Sequence, residues 1–195
     1  MKGIIYIAGS FGAIRKGGCS RGKELIDNDP HFWTSPPTWG ICRNDLRRKA
    51  EPDDVVFYVL PVKAKHPQSI FGYITIKEMI SHLEAWHRPD LRSKRMGNKN
   101  PNGNIIVSGS GAYNRYDAGA HLHMFDRVKP FYAVGDPKRS RILSAKEIER
   151  LSSGFIRILS IVMGGAGKRP IDFISRCGSI IDEQQVNQLL KWVDG

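Results

Sequence analysis

The run Val55-Val56-Phe57-Tyr58-Val59-Leu60 constrains the fold more than any other stretch of this chain. Whichever way a pleat is laid over it, apolar side chains fall on both faces. Such a strand has to be covered on both sides, so it belongs inside a sheet or a barrel. Asp53-Asp54 turns the chain into it and Pro61 ends it. A connection containing Lys63, Lys65 and His66 leads to a second β-rich run, Ser69-Ile70-Phe71-Gly72-Tyr73-Ile74-Thr75-Ile76, and the two read as a hairpin. Gly72, inside the second run, marks a bulge or a close approach.

Further strands are expected over 4–8, 105–108 and 131–134. The first follows Met1-Lys2-Gly3 and resembles a signal peptide only superficially, because its apolar run is too short. Helical spacing appears over 77–86, where Met79, Ile80, Leu83 and Trp86 share one face. Ser144-Ala145-Lys146-Glu147 is a capping box that starts a helix at residue 145. The apolar run 155–163 fits a helix or a strand. Asp182 caps a last helix with Val186, Leu189, Leu190 and Val193 on one face. Residues 24–37 read as irregular, with His31-Phe32-Trp33 tucked under a loop or lining a pocket. Residues 88–104 read as a long exposed excursion, either a disordered loop or a flap that tracks phosphates.

At 195 residues the chain suits one domain, with or without a helical appendage, and 41% hydrophobic residues permit a sizeable core. Thirty Lys and Arg against nineteen Asp and Glu give a net charge of +11. That excess favours a polyanionic partner, most simply nucleic acid, with an anionic membrane surface as the rival. No uninterrupted apolar stretch is long enough for a spanning helix. Three cysteines, Cys19, Cys42 and Cys177, are odd in number and far apart. They fit neither a disulfide framework nor a zinc site, so a reducing, cytoplasmic setting with free thiols is expected. Gly164-Gly165-Ala166-Gly167-Lys168-Arg169 fails as a phosphate loop, because its first glycine is misplaced and Arg169 stands in the Ser/Thr position.

Three stretches carry candidate site residues. In Thr38–Lys49 an indole, Trp39, precedes Gly40, Cys42 and four cations, among them Arg43. An aromatic beside a glycine and cations can hold a stacked base and its phosphates. The competing reading is a short basic helix with Trp39 packed in the core and Cys42 as a small packing residue. The basic glycine-rich loop over 9–23, with Ser10 and Phe11 at its start, could cradle a phosphate or use its cations non-specifically. The third stretch, 109–120, sets Tyr113 and Tyr116 around Asn114 and Arg115, so stacking surfaces alternate with polar groups. It leads into His121-Leu122-His123, whose imidazoles would share one face of a strand. No third metal ligand is evident. A hydrogen-bonding pair at a pocket, or a general acid and base working with Asp117 or Asp126, is the expectation.

Trp39-Gly40-Ile41-Cys42, Arg47-Arg48-Lys49 and Asp53-Asp54-Val55-Val56-Phe57-Tyr58 resemble the opening of a bacterial and phage family, the nucleotide-modification-associated domain of the second type. That family has a Trp-Gly-x-Cys element, paired arginines and a Gly-Asp leading into a strand. Val134-Gly135-Asp136 and Arg139-Ser140-Arg141 extend the resemblance over about residues 1–150. The departures are Asp53 in place of glycine and the long basic loop at 9–23. The hairpin is also similar to the central hairpin of PUA-like barrels, the EVE, ASCH and YTH group. The resemblance implies an α+β fold: a small PUA-like mixed β-barrel with flanking helices over 1–150 and a C-terminal helical extension, 151–195, packed on the same domain. It implies a domain that binds nucleic acid, DNA before RNA, and recognises a modified base in a pocket, associated with DNA modification or phage defence. Trp39, Gly40, Arg43, Tyr113, Asn114, Arg115 and Tyr116, with Ser10 and Phe11, would form the base site. No metal, cofactor or membrane is expected. The alternative is a hydrolase or transferase acting on a modified base or nucleotide through His121, His123 and Asp117.

Overall fold

The computed structural model describes residues 1–8, 29–62, 67–100 and 102–195. In chain order the elements are β1 (Gly3–Ile7), β2 (Thr38–Trp39), α1 (Asn44–Arg47), β3 (Val55–Val59), β4 (Ile70–Ile80), α2 (His82–His87), α3 (Phe125–Val128), β5 (Tyr132–Gly135), β6 (Arg141–Ile142), α4 (Ala145–Ser152), α5 (Phe155–Met163), β7 (Ser179–Ile181) and α6 (Glu183–Asp194). The fold is mixed α+β, and its sheet is mixed too. Among the described residues β2 pairs only with β5 and β7 only with β1, so the sheet is not closed. No described helix is long and apolar enough to cross a membrane.

The described residues form two compact units, and β4 runs from one into the other. The first unit holds 1–8, 53–62, 67–75 and 140–195. Here β3 lies parallel to β1, from Gly3↔Val55 to Ile7↔Val59, and antiparallel to the first half of β4. All five β3 residues are buried, as a strand without a polar face requires. The register with β4 shifts between Tyr58 and Val59, so Gly72 stands at a bulge, where a missing side chain eases the bend. Asp54 anchors the start of β3 by accepting a hydrogen bond from the Lys2 N–H at 3.0 Å. The 155–163 run is the helix α5: Phe155, Leu159 and Val162 are buried while Ile161 is exposed, a period that only a helix produces. Capping boxes at Ser144 and Asp182 start α4 and α6, and the Phe155 ring stacks on Trp192 of α6.

The second unit holds 29–52, 76–100 and 102–139. In it β5 lies between β2 and the second half of β4, antiparallel to both. Three sequence expectations are corrected here. The helix expected over 77–86 begins only at His82. Residues up to Ile80 extend β4 because β5 offers them a ladder, and Ser81 with Glu84 forms the capping box that starts α2. Met79 and Ile80 matched a helical period because the β4 register slips between Ile76 and Glu78. Residues 105–108 make isolated bridges, Arg95↔Ile105 and Val107↔Tyr113, and not a strand of the sheet. They are nonetheless fully buried over 105–107. Ile105 and Val107 pack in one apolar cluster with Ala85, Leu91, Tyr132 and Val134, and Ile106 packs in another with Ile41, Met96 and Val128. Finally, 88–104 is no exposed excursion. A 3-10 helix, Pro89–Lys94, buries Leu91 and Lys94, and Met96 and Asn104 are buried beyond it.

Candidate functional site

The segment from Thr38 to Arg47 is organised by a carboxylate nine residues before its start. Asp29, 1% exposed, accepts the backbone N–H groups of Gly40 at 2.5 Å, Ile41 at 2.9 Å and Cys42. It also accepts from Asn104 Nδ2 at 3.0 Å. Asn104 in turn receives the Tyr132 hydroxyl on Oδ1 at 2.6 Å and donates to Thr38 Oγ1. The Gly40 carbonyl lies 2.7 Å from His82 Nε2, and the Ile106 N–H donates to His82 Nδ1. The ring is therefore a neutral imidazole with its proton on Nε2. Burial, and then the nearby Arg47 charge, lower the His82 pKa to about 3. Gly40 has no room for a side chain: an added Cβ would stand 2.6 Å from both the Asn104 carbonyl and the Tyr132 ring.

This network is sealed. Trp39 and Arg47 have no exposed surface, and the Arg47 guanidinium sits 5.7 Å from the indole centroid. Arg47 donates from Nε to the Phe131 carbonyl and from Nη1 to the Cys42 carbonyl. Arg43 adopts a left-handed conformation just before α1 and pairs with Asp45 at 2.5 Å. Trp39 and Gly40 thus help to build the interior and present no face to solvent. Behind them, Lys94 is fully buried, with Nζ 2.6 Å from the Thr34 carbonyl and 3.0 Å from His31 Nδ1. Burial lowers the Lys94 pKa to about 7, and burial followed by Lys94 lowers His31 to about 3. Neither Asp29 nor Lys94 stands out in sequence. Asp29 lies in an irregular segment, and Lys94 sits in a charge run of the kind that is usually solvated.

The 113–123 stretch is arranged differently. Asn114 is buried, and its side chain serves the backbone by accepting from the Tyr116 N–H and donating to the Met96 carbonyl. A 3-10 turn, Arg115–Asp117, follows, and Ala118 and Gly119 both take positive φ, 51° and 77°. The left-handed conformation costs an alanine about 1–2 kcal/mol. This reversal brings His121 back onto Asp117. His121 Nδ1 lies 2.9 and 3.0 Å from the two Asp117 oxygens, and the His121 N–H donates to Oδ2 at 3.0 Å. The Tyr113 hydroxyl donates to the same Oδ2, and its ring packs edge-on against Phe125. Asp117 is 2% exposed, and burial pushes its carboxyl up. The hydrogen bonds from His121 and Tyr113 outweigh that push and hold the carboxyl below its usual pKa.

His121 and His123 do not share a strand face, a further correction. His121 precedes a 3-10 helix, Leu122–Met124, because the Ala118-Gly119 reversal leaves no extended backbone there. His123 is exposed and has no hydrogen bond to the Asp117 cluster among the described residues. Arg115 and Tyr116 are exposed together, with the guanidinium 5.0 Å from the ring centroid and donating to the hydroxyl at 3.1 Å. Ser10, Phe11 and the rest of the basic loop lie outside the described residues, as does Cys19. Among the described residues no group of three or more His, Cys, Asp or Glu is placed to hold a metal ion.

In the first unit a separate groove of about 550 Å³ lies among α4, α5 and α6, lined by Leu151, Ile158, Ile161 and Trp192, with Arg150 and Lys191 beside them. Comparison with known proteins adds no relative: no protein-family model, curated protein or solved structure matches this chain.

Proposed function

We propose that this chain is a nucleic-acid-binding domain that recognises a base, a modified one, and works alongside DNA modification or phage defence. The observation that carries this reading is the exposed Arg115–Tyr116 stack in a chain of net charge +11. An aromatic face beside a fixed cation suits a base and its phosphate, and stacking contributes about 1–3 kcal/mol per base. Membership of the nucleotide-modification-associated family and a PUA-like barrel plan belong to the same proposal. The β3–β4 hairpin supports the barrel plan. A reducing, cytoplasmic setting is also proposed, supported by three cysteines that are odd in number and far apart in sequence.

The test is binding of labelled single- and double-stranded DNA and RNA, plain and base-modified, across a salt series. Affinity should fall steeply with salt and favour one modified base. Arg115→Ala should lower the slope of log K against log salt by about 1. Absence of salt-sensitive binding to every nucleic acid would overturn the reading.

A further inference from the structure

Base recognition leaves the Asp117–His121 pair without a task. The pair has the parts of a proton-transfer centre. The carboxylate is buried and takes both the ring Nδ1 and the backbone N–H of His121, so ring and backbone are held together. With Nδ1–H given to the carboxylate, the lone pair of the neutral imidazole is on Nε2. Nε2 has no hydrogen-bond partner among the described residues, and the His121 side chain is 23% exposed. Tyr113 completes the hold: its hydroxyl donates to Asp117 and accepts the His121 N–H at 3.1 Å. An imidazole oriented by a carboxylate, with its far nitrogen open, is the geometry of a general base.

What that base would act on follows from the chemistry it can complete. One positioned proton acceptor suffices where the substrate carries its own nucleophile next to its own electrophile. Within nucleic acid that condition is met by RNA, whose 2′-hydroxyl adjoins the 3′-phosphodiester, and not by DNA. Holding the two in line raises their effective concentration without any further co-reactant. Arg115 and Tyr116, two and one residues before Asp117, supply an exposed cation and an exposed ring in the same short segment.

We propose that His121, oriented by Asp117 and Tyr113, is the general base of an RNA-cleaving centre that works by internal transesterification. This rests on the nucleic-acid reading above. His121 Nε2 takes the 2′-hydroxyl proton as O2′ bonds to phosphorus. The P–O5′ bond breaks, O5′ takes a proton from solvent, and His121 later returns its proton to solvent. The products are a 2′,3′-cyclic phosphate and a 5′-hydroxyl, with no oxidation or reduction. His121 is the catalytic residue, and Asp117 and Tyr113 are positioning residues.

The experiment uses the full chain, a 5′-labelled single-stranded RNA, its 2′-deoxy counterpart, and an RNA carrying 2′-O-methyl at every position. Cleavage is followed by electrophoresis and mass spectrometry, and binding of each strand is measured in parallel. RNA should be cut to cyclic-phosphate ends, while the deoxy and 2′-O-methyl strands are bound and left whole. His121→Gln should slow cutting by about 10²–10⁴-fold with RNA affinity unchanged. Asp117→Asn should lower kcat and leave KM in place; should that buried change prevent folding, His121→Gln still decides the matter. RNA bound but uncut overturns this inference and leaves base recognition standing. Absence of binding to any strand overturns both. Equal cutting of the deoxy strand overturns the 2′-hydroxyl route, and cutting unchanged in His121→Gln overturns His121 as its base.

Discussion

Trp39 and Tyr116 each lie beside an arginine, Arg47 at 5.7 Å and Arg115 at 5.0 Å, yet the two pairs do opposite things. Trp39 and Arg47 have no exposed surface, and the Arg47 hydrogen bonds go to backbone carbonyls at Phe131 and Cys42. Tyr116 is 42% exposed, and among the described residues the Arg115 guanidinium donates only to the neighbouring hydroxyl. A desolvated cation–π contact contributes about 2 kcal/mol or more, an exposed one about 0.5–1 kcal/mol. The first pair therefore belongs to the stability of its unit, and the second remains available to a ligand. Composition alone does not separate them. What separates them is whether backbone groups elsewhere in the chain have already claimed the cation.

The sharpest way to break this contrast is acid. His82 and His31 are buried bases whose folded pKa values, about 3, lie below the unfolded value near 6.5. Between those values the unfolded chain binds more protons than the folded one, so stability is complete above pH 6.5 and is lost as pH falls towards 3. For His82 alone a shift of that size corresponds to a loss on the order of 4 kcal/mol. Lys94 acts in a separate window: with its folded pKa near 7, it adds stability as pH rises from about 7 towards 10.5. Urea unfolding midpoints measured from pH 7 down to 3.5 should fall steeply. A flat profile would mean that these groups are not buried as described.

A smaller effect is expected from Asp29→Ala. The change strands the N–H groups of Gly40, Ile41 and Cys42 and one amide donor of Asn104, all in or beside the core. Leaving a buried hydrogen-bond donor unsatisfied typically costs about 1–3 kcal/mol. Urea unfolding at pH 7 measures it, and a loss under about 1 kcal/mol would show that the Thr38–Arg47 turn holds itself without Asp29.

The parts legible in sequence were those fixed locally. The two-faced apolar run 55–60 placed β3 inside the sheet, and the capping box at Ser144 and the Asp182 cap placed the starts of α4 and α6. The parts that were not legible depend on distant partners. Asp29 meets Gly40 eleven residues on and Asn104 seventy-five on, and no local pattern signals either. Lys94 sits among Arg92 and Arg95 and reads as solvated, but the Thr34 carbonyl sixty residues earlier receives its amine inside the unit. The His121 geometry depends on two consecutive left-handed residues, one of them an alanine, so a strand period misleads where the chain reverses. Asp117 and His121 stand out in sequence as residue types, but their contact needs that reversal.

The smallest effect on folding should come from the exposed pair itself. Tyr116→Ala removes a ring that is 42% exposed, and its hydroxyl serves only Arg115 among the contacts described. A surface change of this kind shifts stability by about 0.5 kcal/mol or less. Removing a stacking platform, by contrast, weakens binding of a single-stranded oligonucleotide by about 1–3 kcal/mol. The two readouts, urea unfolding and oligonucleotide titration, should therefore separate cleanly at Tyr116. At Trp39 the same substitution should lower stability and leave no folded protein with selectively weakened binding. If Tyr116→Ala instead lowers stability by several kcal/mol with affinity unchanged, the exposed stack is part of the scaffold, and the contrast between the two arginine–aromatic pairs is lost.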